Sequence, residues 1–147
     1  MKIKIIAVSL SLLIIFNQSV LIVYSAQSQA YITTADNYAK LAHESYNKRE
    51  YLNAAINYEK AYKSNKLQVY LDNAVTAYLS CAFDLANDKK YDEGLKYCEK
   101  VISLKQNDKN AFELMSDIYF SRGIDYFYTG ELEKAKSDIE KSLKYSV

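Results

Sequence analysis

The sequence has no proline, no tryptophan and only three glycines among its 147 residues. Collagen-like, proline-rich and turn-dense all-β organisations are therefore excluded. One histidine and two cysteines are too few for the usual four-ligand zinc site unless carboxylates are recruited. An excess of charge is also missing, since 19 Lys+Arg face 18 Asp+Glu for a formal net charge of +1. Such a balance gives no electrostatic case for nucleic acid, which needs a basic face to neutralise its phosphates. What is present is a half-hydrophobic, quarter-charged composition, enough to bury a core over a length that suits one ordinary domain. Fifteen tyrosines and five phenylalanines suit helix-packing surfaces and interfaces, where a tyrosine ring is buried and its hydroxyl stays wet.

The first thirty residues read as an export signal rather than as part of the fold. Met1-Lys2-Ile3-Lys4 is a short basic start, and the run from Ile5 to Phe16 has the length of a signal-peptide core. Asn17, Gln18 and Ser19 interrupt it before Val20-Leu21-Ile22-Val23 resumes. Ser28-Gln29-Ala30 fits a small-x-small cleavage site, predicting a mature chain that begins at Tyr31. A second site behind Ser25 would start the chain at Ala26. The alternative is an uncleaved anchor over Ile5–Val23, close to the ~20 residues that cross a bilayer. Either way residues 31–147 are exported, to a bacterial periplasm or outside the cell. A membrane is a partner only if the N-terminal helix is retained.

Beyond Tyr31 the apolar residues recur at helical spacing without a linker or low-complexity block. Three stretches resemble one another: Tyr51 to Ala61, Tyr91 to Val101 and Leu132 to Ser142. They start 40 and 41 residues apart. Each stacks apolar or small residues on one helix face. A second helix precedes each stretch, carrying Tyr38, Leu41 and Ala42, then Tyr78, Cys81, Ala82 and Leu85, then Tyr119, Gly123 and Tyr126. Polar breaks at 47–49, 87–90 and 129–130 divide each pair. The expected plan is six helices near 33–48, 51–63, 69–87, 91–104, 109–128 and 131–145. They form three hairpins over about 35–66, 69–106 and 109–145. One hairpin cannot bury its apolar face alone, whereas about three stacked hairpins can.

The pattern resembles the tetratricopeptide repeat family. The third unit carries it best, with Tyr119, Gly123, Tyr126, Gly130, Leu132, Ala135 and Ile139. The first unit offers Tyr38, Ala42, Tyr51, Ala54, Tyr58 and Ala61, and the second Tyr78, Ala82, Leu85, Tyr91, Gly94 and Val101. Three features depart from the family. The period exceeds its 34 residues, no proline follows each unit, and Arg122 stands where Leu41 and Cys81 stand in the other units. The resemblance implies an all-α solenoid of three stacked hairpins, a right-handed superhelix whose helices approach closely at Ala42/Ala54, Ala82/Gly94 and Gly123/Ala135. It also implies that first helices line a concave surface. Here that surface should carry Ala39, His43 and Tyr46, then Leu79, Phe83 and Ala86, then Phe120, Ile124 and Phe127. The Lys, Arg and Asn with which the family grips a terminal carboxylate are missing from these positions. An apolar, aromatic stripe remains, suited to an amphipathic helix or an extended apolar segment, unless the long first helices bury these rings between units.

No phosphate loop, zinc-protease motif or nucleophile elbow occurs. His43 has Ala39, Lys40, Tyr46 and Asn47 as its helical neighbours, none acidic, so it reads as a surface residue rather than a catalytic base. The expected function is that of a non-enzymatic interaction module, an adaptor or assembly factor that holds a protein or peptide and needs no cofactor. The alternatives are a carrier of an apolar small molecule in the same groove and, less favoured, a small hydrolase. Glu133, Lys136 and Ser137 stand where the first unit has Leu52, Ala55 and Ile56. This pattern predicts a polar outer face that finishes the array, and hence a monomer or weak dimer. Cys81 and Cys98 lie eight residues to either side of Lys89-Lys90, at matching heights of one hairpin. A disulfide needs Cα atoms within roughly 4.4–6.8 Å against helix axes ~8–10 Å apart. A bridge therefore requires the close approach that Ala82 and Gly94 would allow; otherwise both are packed, unpaired thiols.

Overall fold

The computed structural model describes the backbone of residues 2–146 and the side chains of residues 18–146. Six helices follow one another: α1 (Lys2–Asn47), α2 (Tyr51–Asn65), α3 (Gln68–Asn87), α4 (Tyr91–Leu104), α5 (Lys109–Tyr128) and α6 (Leu132–Tyr145). There is no strand among the described residues. Each helix packs on the next, and α3 also touches α5. This is an all-α helical repeat solenoid built from three hairpins.

The three hairpins share one turn. In the first, Arg49 N–H donates to the Tyr46 carbonyl at 2.9 Å and Glu50 N–H to the Ser45 carbonyl at 2.9 Å. Lys89 and Lys90 repeat these bonds to Ala86 and Leu85 at 2.9 and 2.8 Å, and Gly130 and Glu131 repeat them to Phe127 and Tyr126 at 3.1 and 2.9 Å. This double bond pattern closes a helix through one left-handed residue. Arg49 and Lys89 take that conformation at φ 61°, and Gly130 at φ 80°. Only the third unit uses the residue that adopts it without steric cost.

The close approaches expected at small residues are present. Ala42, Ala54 and Ala82 are fully buried. A Cβ on Gly94 would stand 3.0 Å from the Ala82 carbonyl oxygen, and one on Gly123 would stand 3.3 Å from that of Ala135. Two apolar clusters result. One joins the first two hairpins through Ala42, Ala54, Tyr58, Val75 and Tyr78. The other joins the second and third through Ala82, Leu95, Cys98, Met115 and Ile118. Alanine dominates the first because backbones this close leave little room for larger side chains.

Three expectations need correction. The first helix does not begin near residue 33 but runs unbroken from Lys2, because residues 2–47 contain neither Gly nor Pro to stop it. It enters the packed body at Ala35, which is fully buried, while Leu21, Ile22, Val23 and Tyr24 are exposed. Among the described residues no helix is long and apolar enough to cross a membrane. The apolar run over Ile5–Phe16, and with it most of the alternative anchor, lies outside the residues whose side chains are described.

The second correction concerns the two cysteines, which are free thiols. Cys98 is fully buried in the second cluster beside Met115 and Ile118, and burial pushes its thiol up to about 12. Cys81 instead faces the α2 side, lining a cleft with Tyr51 and Leu52. Equal height along a hairpin does not bring the two side chains to the same flank.

The third concerns the end of the array. Glu133, Lys136 and Ser137 are exposed as expected, but an apolar strip adjoins them. Leu132 and Leu143 beside them are 59% and 71% exposed.

Candidate functional site

Of the nine residues expected to form one concave stripe, four line two separate depressions. On α3, Leu79 and Phe83 are one helical turn apart. Together with Arg49, Tyr51, Ser80 and Leu114 they line an open groove of about 610 Å³ bounded by the α1–α2 turn and the start of α2, by α3 and by the start of α5. Leu79 is partly buried against the core, whereas Phe83 is 55% exposed. On α5, Ile124 and Phe127 line a second, apolar depression of about 340 Å³ with Leu132, Ala135 and Ile139. Phe120 and Phe127 are 52% and 59% exposed. Three phenyl rings on the first helices of the second and third units thus face water, and are not buried between units.

The other stripe positions serve differently. Tyr46 packs against the first cluster, its ring meeting Tyr51 edge-on at 5.0 Å. Its hydroxyl shares a hydrogen bond with Ser80 at 3.2 Å. Ala86 packs on the second cluster, Ala39 is half-buried and His43 is exposed. Ala39 and His43 line neither depression. The α3 groove is more polar than expected, since Arg49, Thr76, Ser80, Asp84 and Asn110 share its wall. Asn110 and Leu114 escaped the sequence reading because they stand in the first turns of α5, ahead of the repeat-matched positions.

Between units, polar groups are paired rather than aimed at a ligand. Tyr70 donates to Asp36 at 2.9 Å, and Tyr91 donates to Asp125 at 2.8 Å. Burial beside that carboxylate raises the Tyr91 phenol to about 12. Glu59, buried on α2, accepts from Tyr78 at 3.0 Å and pairs with Lys63 at 2.7 Å and Lys100 at 3.2 Å. Burial alone would raise its carboxyl, but these donors outweigh it and hold the group below its ordinary value. Asp138 on α6 is likewise buried. It accepts from Arg122 Nε at 2.6 Å and Nη2 at 3.0 Å, and Arg122 also reaches Asp92. Burial pushes Asp138 up, yet Arg122 and Lys141 hold it low. No buried side-chain nitrogen or oxygen among the described residues lacks a partner. No group of three His, Cys, Asp or Glu is arranged to hold a metal there either.

The hairpins, their shared turn and the open groove define a class, that of α-helical repeat proteins with an exposed apolar and aromatic face. No protein-family model matches the chain, and no curated protein matches it. Among solved structures it is similar to the C-terminal TPR-containing domain of a Plasmodium falciparum protein described as FK506-binding. That likeness is 22% in identity, spans 80% of each chain and has a TM-score of 0.32. The fold described above rests on the chain's own helices, turns and buried contacts.

Proposed function

We propose that the chain is an exported, non-enzymatic protein–protein interaction module, an adaptor or assembly factor that takes a partner segment on the faces of α3 and α5. The observation that carries this reading is the exposure of Phe83 in a groove walled by Leu79 and Leu114, with Phe120 and Phe127 also exposed on α5. Large aromatic side chains left in water at such a density favour burial by a partner, and aromatic anchors dominate interface energetics. The groove's Arg49, Ser80, Asp84 and Asn110 supply donors and acceptors for a peptide backbone laid along it. Export rests on the basic start and apolar run of the first thirty residues.

The test is capture from the envelope fraction by the wild-type chain and by a Phe83→Ser/Phe120→Ser variant. Both rings are exposed, so the variant should melt as the wild type does. A defined protein retained by the wild type and lost by the variant supports the reading. Equal retention by both sinks it. N-terminal sequencing of the mature chain tests export, with Tyr31 the expected first residue and an intact Met1 the opposing result.

A further inference from the structure

Among the described residues, the third hairpin leaves open the face that the second hairpin covers. Counted from their shared turns, Leu132, Lys136, Ile139, Glu140 and Leu143 of α6 hold the places of Tyr91, Leu95, Cys98, Glu99 and Ile102 in α4. In α4 that face meets α5: Leu95 and Cys98 join Met115 and Ile118, and the Tyr91 hydroxyl reaches Asp125. In α6 the same face meets no further helix among the described residues. Leu132 and Leu143 are exposed, and Ile139 floors the depression that also holds Ile124 and Phe127.

The order of side chains on this face says what fits it. The five residues lie within an arc of about 100° on a helix turning 3.6 residues per turn. Two leucines stand at its ends, with Lys136, Ile139 and Glu140 between. Lys136 and Glu140 rim the depression, and neither has an ion-pair partner among the described residues. Reversed and laid on itself, the face is its own complement. In an antiparallel pairing centred near Asp138, Leu132 comes opposite Leu143 of the second copy. Lys136 comes opposite Glu140 of the second copy, and both contacts occur twice. Ile139 of each chain lies close to the axis. Such self-complementarity is what a two-fold interface requires.

We infer that this face is a homodimer interface, in which α6 packs antiparallel on α6 of a second copy. The face lies apart from the groove lined by Leu79 and Phe83 and leaves it open, sharing only Phe127 with the proposed partner surface.

Sedimentation equilibrium of the full chain between roughly 1 and 100 µM tests the pairing with a charge swap. The wild type should dimerise. Lys136→Glu alone and Glu140→Lys alone each place like charges opposite one another twice, and should weaken the dimer about tenfold or more. The double swap restores opposite charges and should return the dissociation constant to within about threefold of wild type. Both residues are exposed, so all four chains should melt alike when measured as monomers, well below the dissociation constant. A monomeric wild type overturns the inference and leaves the face to a different protein. A dimer that ignores the single reversals also overturns it, because association then runs through another surface. So does a double variant as weak as the singles.

Discussion

Helix α4 is enclosed by α3 and α5 and buries Leu95, Cys98 and Val101. Helix α6, its counterpart in the third hairpin, packs on α5 and buries Ala135 together with the polar Asp138 and Ser142. The contrast is sharpest at one pair of matched positions. Cys81 and Tyr97 hold it in the second unit, and Arg122 and Asp138 in the third. The backbone and the turn are the same in both. The repeat therefore fixes which positions correspond but not what chemistry they carry. A hairpin with a neighbour on each side is secured by apolar burial, which needs no direction. The last hairpin has less apolar surface to bury, and a bidentate guanidinium–carboxylate pair sets its angle instead.

Emptying the apolar side should have the larger effect. Ile118 is among the largest fully buried side chains and bridges α4 to α5. Ile118→Ala should cost about 3–4 kcal/mol in denaturant unfolding, through lost transfer energy and the cavity left behind. A loss under about 1 kcal/mol would show that the second and third units are not held by this cluster.

The polar side should yield slightly less. Asp138→Ala leaves Arg122 without its buried partner and should cost about 3 kcal/mol. Installing the second unit's residues, Arg122→Cys with Asp138→Tyr, should recover most of that loss, since an apolar replacement of a buried ion pair is often neutral. If the double variant were as unstable as the single, the two slots would not be equivalent. Acid should act on the same pair. Asp138 is held below its ordinary 3.8 in the folded chain. Its contribution is thus full above that value and lost as the pH falls through the lower folded one. Hydrogen exchange corrected for intrinsic rates should therefore show α6 opening before α4 as the pH drops from 5 to below about 4. Simultaneous opening would break the distinction.

Much of this contrast was legible in the sequence, but not its functional edge. Five of the six helices lie where apolar spacing and polar breaks put them, because each hairpin's pattern is local. The start of α1 was not legible, since nothing in residues 2–47 acts as a stop. Arg122 was visible as an intruder in a slot held by Leu41 and Cys81. A search of the facing helix for an acid would have found Asp138 sixteen residues on. The groove was misplaced for a different reason. It forms where the first turn of α5 passes Leu79 and Phe83, and the rotation between successive units that brings them together is not encoded in any local spacing.

Glycine substitutions refine the comparison further. A Cβ at Gly94 would meet backbone, the Ala82 carbonyl oxygen at 3.0 Å, whereas one at Gly123 would first meet the Cδ1 of Ile139 at 3.0 Å. Gly123 also faces backbone, the Ala135 carbonyl oxygen, but at the looser 3.3 Å, and a side-chain tip can yield where backbone cannot. Gly94→Ala should cost about 1–3 kcal/mol. Gly123→Ala should stay within about 0.5 kcal/mol, helped by alanine's helix propensity. Equal costs at both sites would mean that the terminal hairpin is as tightly clamped as the interior one. The shared turn offers a further site, where Gly130→Ala places a Cβ at φ 80°. It should lower stability by about 1 kcal/mol. No change would show that the turn adapts as readily as Arg49 and Lys89 do.

The tyrosine hydroxyls that cross between units also bear on mechanics. Asp36 with Tyr70, Tyr46 with Ser80 and Tyr91 with Asp125 each bind one unit to the next at a separation of 34 residues. Water can replace either end of such a bond, so each holds with only about 1 kcal/mol net. The hairpins, clamped through alanine and glycine, behave as stiff plates, and these bonds as weak latches between them. The two apolar clusters hold these plates in register, and the latches fix only the rims of the joints.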